Sequence, residues 1–419
     1  MTSTIPSRID IFRRLRSLSG ELLLITSGRV IYSASIWLAV IVIARGYGAE
    51  TLGSFTYAMA VIAPLIIFFQ FNARVFVLTE KNDEFLILNH LLFRVAGIVL
   101  AFLALLTSLW WSTDSSVYGV ALAIFLFKAF ESISDIVGGY LHKEGLLRYV
   151  CVASALRGLS FLLCAIIAAT TDMPIDQACL WIAGSWGLIL ILVELLPAIR
   201  LSHLWKMHQC KIFLLIRRCW LFGPIMALSA IIYNLPIYAV EDLLGKSHVG
   251  YYASMMYFYL SGRIVVDALS LALAPRLAGG GIGSALSSRR RITEILGGSA
   301  MVLLPVMVAA YVWGPSLAGL IYGDEFATHG QLLCPILALL FVAGINQVFN
   351  VVLTIKRETL TQLVAHIVAL IAVATTAPPL IKLLELQGAI ASLLIGMILM
   401  SAFYAIALLK RRRNEDASQ

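Results

Sequence analysis

"GAETLGSFTYAM" occupies residues 48–59, and "GKSHVGYYASMM" occupies residues 245–256. In each stretch two glycines stand five apart, Gly48 with Gly53 and Gly245 with Gly250. Each second glycine opens an aromatic-rich run, Phe55 and Tyr57 in one copy, Tyr251 and Tyr252 in the other. The offset is 197 residues, close to half of the 419-residue chain. A glycine turn followed by a helix start, recurring at half-length, reads as an internal duplication. Both copies fall between the first and second helix of a six-helix set and keep the same direction across a membrane. The expectation is a parallel repeat, two six-helix lobes with a central cavity between them.

The surroundings make that membrane explicit. The chain is 60% hydrophobic and 13% charged, against about half and a quarter in a soluble domain. Its mean hydropathy is +0.92. The apolar residues come in runs of membrane-spanning length, about 20 residues. Windows of about 19 residues place twelve helices at 22–44, 52–73, 86–110, 118–141, 147–170, 178–199, 219–240, 249–275, 293–314, 331–353, 360–379 and 389–409. The expected fold is an all-α integral membrane protein of 12 transmembrane helices with both termini cytoplasmic. Its parts are a cytoplasmic amphipathic segment 1–21, an N-lobe 22–199, a basic linker 200–218, a C-lobe 219–409 and a basic tail 410–419.

Lysine and arginine test this layout. Of the 31, 22 fall in the segments assigned to the cytoplasm, 3 (Arg45, Lys246, Lys382) outside, and 6 within helices. Such a bias follows the positive-inside rule. The net charge of +8 is therefore a topology signal and not a nucleic-acid footprint. The first twenty residues are polar and basic, unlike a cleavable signal peptide. "IPSRIDIFRRLRSL" (5–18) reads as an interfacial helix with Ser7 as N-cap and Asp10 as the capping-box acid. The six cysteines lack CxxC spacing and read as small apolar residues. The outside loops are too short to house a conventional enzyme active site.

Four motifs, the first overlapping the opening glycine stretch, carry a resemblance. "ARGYGAETLGSF" (44–55) resembles the first-hairpin signature of polysaccharide and O-antigen flippases, members of the multidrug/oligosaccharidyl-lipid/polysaccharide (MOP) exporter superfamily. "VGYYASMMYFYLSGRI" (249–264) with "APRLA" (274–278) resembles their eighth helix, "LIYGDEF" (320–326) the turn before the tenth, and "QGAIASLL" (387–394) the start of the twelfth. The chain departs where many relatives carry an acid early in the outer half of helix seven; Asn234 stands there. The resemblance implies a non-enzymatic transporter of the bacterial cytoplasmic (inner) membrane. It would move an undecaprenyl-pyrophosphate-linked oligosaccharide between leaflets by alternating access, for O-antigen, capsule or exopolysaccharide synthesis. It further implies a monomer working among membrane lipids, with a polymerase or chain-length regulator as partners.

Intramembrane charge gives that implication a site. Ionisable groups at membrane depth face protein or a wet cavity. Arg29, Arg94, Lys128, Arg157 and Arg263 are the deep bases, and Glu131, Asp135 and Asp267 the deep acids, with Glu194 nearer a cytoplasmic end. The bases are candidates for a cationic cavity, since guanidinium groups match diphosphate oxygens. Asn234, Tyr257, Asn346, Gln347 and Asn350 are candidates for sugar contact. Glu131, Asp135 and Asp267 are candidates for proton or Na⁺ coupling. The bland alternatives are internal pairs, Lys128 with Glu131 and Arg263 with Asp267, snorkelling of Arg29 and Arg94, and helix–helix hydrogen bonds from the amides. In "FLFKAFESISDIVGGYLH" (125–142), Lys128, Glu131, Ser132 and Asp135 share one helical stripe, and that stripe needs a partner.

Pro64, Pro224, Pro236 and Pro305 lie inside expected helices and allow bending. "AGGGIGSALSSRRR" (278–291) lacks the GK[ST] ending of a phosphate loop. No cofactor or metal is expected, and an ion gradient or the membrane potential is the expected drive. Competing readings are a drug/cation antiporter or a lipid II flippase of the same fold, and a membrane polysaccharide polymerase or ligase. The basic excess argues against the antiporter. The chain stops after twelve helices, where lipid II flippases usually continue. The short outer loop 315–330 argues against the polymerase.

Overall fold

The computed structural model describes residues 8–79, 87–111, 116–201, 212–219, 222–278, 289–355 and 358–417. The Ser7 cap, the glycine-rich stretch 279–288 and Cys210 lie outside them, as does the side chain of Asp267. All regular structure among the described residues is helical. In chain order the helices are α1 (Arg8–Gln70), α2 (Ala73–Thr79), α3 (Ile87–Trp111), α4 (Ser116–Lys143), α5 (Leu147–Thr170) and α6 (Ile175–Ile189). A π-helical turn, Leu190–Leu195, leads into α7 (Leu196–Ile199). Then follow α8 (Ile212–Cys219), α9 (Phe222–Leu244), α10 (Lys246–Ala278) and α11 (Arg289–Tyr322). A 3₁₀ segment, Asp324–Leu332, precedes α12 (Leu333–Ile355) and α13 (Thr359–Ala417).

Eight of the described helical stretches are long and apolar enough to cross a membrane. Large apolar side chains point outward along them, including Leu103, Leu163, Leu188 and Ile398, each more than half exposed. Such faces are stable in lipid and not in water. The chain is a multi-pass membrane protein. Two stretches, 27–78 and 359–408, are 52 and 50 residues long, far beyond the ~20 residues that one crossing takes. Each is broken inside. Gly48 has φ 77° and Glu385 has φ 50°, conformations that interrupt the helix.

The fold gathers into two compact units. One comprises residues 1–39, 72–110 and 122–219; the other comprises 40–71, 111–121 and 220–419. The core of the first is aromatic. Trp186 lies 5.1 Å from Phe127 and 6.2 Å from both Tyr32 and Phe161, ring to ring.

In the second unit the two glycine motifs meet each other. Gly48 and Gly245 both take positive φ, 77° and 89°, which glycine alone adopts freely. Gly53 and Gly250 perform the second task. A Cβ at Gly53 would stand 2.7 Å from the carbonyl carbon of Lys246, and one at Gly250 would stand 2.8 Å from that of Ala49. Ala49 and Lys246 are themselves 197 residues apart, so the two contacts are the same contact seen from each copy. Around them Arg45 donates to the carbonyls of Leu320 and Ile321. Tyr251 donates to Glu325 at 2.6 Å and stacks on His329 at 4.1 Å.

Candidate functional site

The first unit encloses a cavity of about 200 Å³ lined by Arg29, Tyr32, Arg74, Glu131, Ser134, Asp135, Gly138, His142, Val150, Cys151, Ser154, Arg157 and Glu194. Its shape follows from local packing. Gly158 lets α5 approach α1 so closely that a Cβ there would stand 2.7 Å from the Cα of Tyr32. On the other side Trp186 donates to the carbonyl of Arg157 at 3.1 Å. Those two contacts fix the backbone from which Arg157 reaches into the cavity. Its guanidinium donates to Ser134 and to Glu194, the latter at 3.3 Å.

The polar stripe on α4 supplies the opposite wall. Lys128 and Glu131 form an ion pair at 2.7 Å, and Tyr32 donates to the same carboxylate at 2.8 Å. Asp135 takes two partners from other helices, Arg74 at 2.9 Å and Arg94 at 3.3 Å. Arg94 is 1% exposed and also donates to Ser132. Arg29 and Arg157 are therefore in the cavity wall, while Arg94 and Lys128 are one ion pair removed from it. Arg74, which sequence reasoning assigned to a cytoplasmic loop, is a cavity residue. The wall itself holds three guanidinium groups, Arg29, Arg74 and Arg157, beside three carboxylates, Glu131, Asp135 and Glu194, with Arg94 and Lys128 behind the acids they pair with.

The second unit holds the other expected residues in two cavities that share Arg263. One, about 60 Å³, is lined by Tyr233, Arg263, Asn346, Gln347, Asn350, His366 and Met397 among others. Its amides bind helix to helix. Asn346 donates to the Met397 carbonyl at 2.9 Å and accepts from Ser401 at 2.7 Å. Asn350 accepts from Gln362 at 2.8 Å. The other cavity, about 390 Å³, is mainly apolar, with Met59, Ala63, Ile237, Met256 and Leu260 beside Asn234, Tyr257 and Arg263. Asn234 spends its amide on the carbonyl of Ala230, one turn back. Arg263 donates to the hydroxyls of Tyr233 and Tyr259 at 2.7 and 3.1 Å.

A polar cavity on which three guanidinium groups converge, inside an apolar helical body, can hold an anion that never enters lipid. No group of three or more metal-ligating side chains occurs among the described residues. Two features escaped the sequence reading, the cavity role of Arg74 and the depth of Glu194. The only signal for Glu194 is Pro197 three residues later, which disturbs the helix beneath it.

No protein-family model matches the chain. The capsular polysaccharide biosynthesis protein CapF of Staphylococcus aureus is 20% identical over 305 residues, covering 71% of this chain and 75% of the relative. Among solved structures, the lipid II flippase MurJ in an inward closed conformation superposes with a TM-score of 0.71 at 13% identity, over 92% of this chain and 87% of that one. A point mutant of the MATE transporter VcmN of Vibrio cholerae gives 0.63 at 15% identity, over 95% and 98%. A MOP superfamily transporter from Pyrococcus furiosus, described as having a binding pocket of reversed polarity, gives 0.64 at 13% identity, over 93% and 94%. This multi-pass membrane chain has the fold of the MOP superfamily transporters.

Proposed function

We propose that the chain is a MOP superfamily flippase that carries a lipid-linked oligosaccharide across the membrane, with a diphosphate as the recognised charge. The observation that carries this reading is the convergence of the Arg29, Arg74 and Arg157 guanidinium groups on one polar cavity of the first unit. A diphosphate diester carries two negative charges, and Arg157 and Arg29 present forked donors to it. The resemblance to CapF, a capsular polysaccharide biosynthesis protein, supports a polysaccharide precursor as cargo. The cargo is then an undecaprenyl-diphosphate glycan of the bacterial inner membrane.

Twelve crossings complete the picture. The eight apolar stretches become ten when the two long ones are divided at Gly48 and Glu385. α4 and α10 supply the last two, with 28 and 33 residues. Charges on the α4 stripe lower its hydropathy, and its ion pairs make that charge tolerable in a membrane. An ion gradient or the membrane potential drives transport, and no bound cofactor takes part.

The test is complementation of a strain lacking the protein. Arg157→Ala and Arg29→Ala chains should insert normally and lose at least about tenfold of surface polysaccharide, the loss expected from a charge-assisted bond of about 1.5–3 kcal/mol. Lipid-linked repeat units should accumulate on the cytoplasmic side. Full surface polysaccharide from both variants would overturn the reading.

A further inference from the structure

The chain leaves one membrane crossing at Ile199 and enters the next at Gly223. Between Glu194 and Glu241 it carries no acidic residue, while Arg200, Lys206, Lys211, Arg217 and Arg218 stand in the intervening linker. At the end of that linker lies α8, whose sequence is IFLLIRRC. A free helix of eight residues is marginal in water, so α8 needs a surface to lie on. Protein supplies part of it, since Leu215 is 2% exposed and seats one face of the helix.

The opposite face is apolar and basic at once. Phe213 is 80% exposed and Ile216 is 38% exposed, and Arg217 is exposed beside them. At ~100° per residue, Leu215 points about 160° away from Phe213, while Ile216 and Arg217 lie about 60° and 40° to its two sides. Among the described residues, every other large apolar side chain of comparable exposure lies in one of the twelve crossings assigned above, where lipid covers it. Phe213 and Ile216 lie in none of them.

Connectivity decides what covers these two. Four residue steps take the chain from Cys219, the last residue of α8, to Gly223, the first of the next crossing. Fully extended, they reach ~14 Å. The C-terminal end of α8 is therefore tethered to the membrane surface. Helices with a mixed face of this kind lie in the interface, their aromatic and aliphatic side chains among the acyl chains and their arginines at the headgroups.

We propose that α8 docks on the anionic phospholipid headgroups of the membrane surface from which the linker emerges. Phe213 and Ile216 enter the acyl boundary, and Arg217 takes the lipid phosphates with the rest of the basic linker. Charge complementarity selects the occupant, because no carboxylate between Glu194 and Glu241 competes for these cations. Each Lys or Arg near an anionic surface contributes about fivefold in affinity. The site is separate from the cavity of the first unit and does not depend on the diphosphate reading.

The experiment places a nitroxide at residue 213, as Phe213→Cys in a cysteine-free background of the full-length chain. The purified protein sits in nanodiscs of phosphatidylcholine with or without phosphatidylglycerol. Power saturation compares the label's collisions with oxygen, which concentrates in lipid, and with a neutral nickel chelate, which stays in water. With phosphatidylglycerol present the label should favour oxygen. Arg217→Gln combined with Arg218→Gln should lower the ratio of docked to undocked helix by about 25-fold, and omitting phosphatidylglycerol should also shift the label towards the chelate. Excess inorganic phosphate should leave the label in place, because the ligand is a headgroup anchored in the bilayer. A label that stays in water with phosphatidylglycerol present would overturn the docking and leave this face to a protein partner. A label equally lipid-immersed in both nanodiscs and in the double variant would overturn the selection of anionic lipid. Release of the label by inorganic phosphate would overturn it in favour of a free anion.

Discussion

Replacing Gly53 by alanine should open the crossing where the two glycine motifs meet. The added methyl would lie 2.7 Å from the carbonyl carbon of Lys246. Carbon atoms rest at about 3.5–4.0 Å, so the helices must part by about 1 Å or distort. The obstacle is backbone, which cannot rotate away as a side chain can. Overpacking of this kind costs about 1–3 kcal/mol. That cost falls on this conformation and not on one in which α10 and the second half of α1 have separated. At about 1.4 kcal/mol per factor of ten, the ratio of closed to parted chains falls by about 5- to 150-fold. Gly250→Ala should do the same, because its methyl meets Ala49 in the equivalent way. The double variant should cost less than the two singles combined, since one separation relieves both clashes. The assay is labelling of a single cysteine at Ala60, in a cysteine-free background, by a membrane-impermeant maleimide. Ala60 is 2% exposed, and its carbonyl accepts the Tyr238 hydroxyl. Labelling should quicken at least about fivefold in either variant. Gly184→Ala, where a Cβ meets nothing within 4 Å, should leave the rate unchanged. Rates within twofold of wild type for both Gly53→Ala and Gly250→Ala would refute the reasoning.

Other consequences are as direct. Asp135→Asn removes the carboxylate facing Arg94, which is 1% exposed. The uncompensated guanidinium should cost about 3–5 kcal/mol, read as a lower thermal midpoint in detergent, and adding Arg94→Met should restore most of the loss. Glu385 sits at φ 50°, ψ −129°, a turn conformation that glycine occupies without strain. Glu385→Gly should therefore raise the unfolding midpoint, by an amount equivalent to about 1 kcal/mol, and a fall would show that the carboxylate contributes more than the strain costs.

The glycine motifs were the most legible part of the sequence, because a positive-φ turn and a backbone contact both demand the same residue. Gly48 and Gly245 make the turns, and Gly53 and Gly250 make the contacts. The α4 stripe was legible as a face, since helical period alone places Lys128, Glu131, Ser132 and Asp135 together. Its pairing was not. Lys128 finds Glu131 within its own helix, a contact that spacing permits. Asp135 finds Arg74 and Arg94, which are 61 and 41 residues away, and no local rule selects them. Arg74 follows the end of an expected helix, where spacing alone reads a loop residue; the pairing of α2 with Asp135 is what brings it to the cavity. Glu194 reads as an interfacial acid from its place near a helix end. Only the π-helical turn and the close packing of α5 on α6 reveal it as buried.

The most direct test of the central claim is flipping in proteoliposomes. A fluorescent undecaprenyl-diphosphate disaccharide is placed in both leaflets with the purified chain, and the outer pool is quenched by a membrane-impermeant reductant. The account predicts that the wild type lets the reductant consume the inner pool as well, and that Arg157→Ala, though inserted, leaves about half of the signal protected, as protein-free vesicles do. An inner pool equally protected with the wild type, or equally consumed with Arg157→Ala, would contradict an arginine-lined cavity that carries a lipid-linked diphosphate across the membrane.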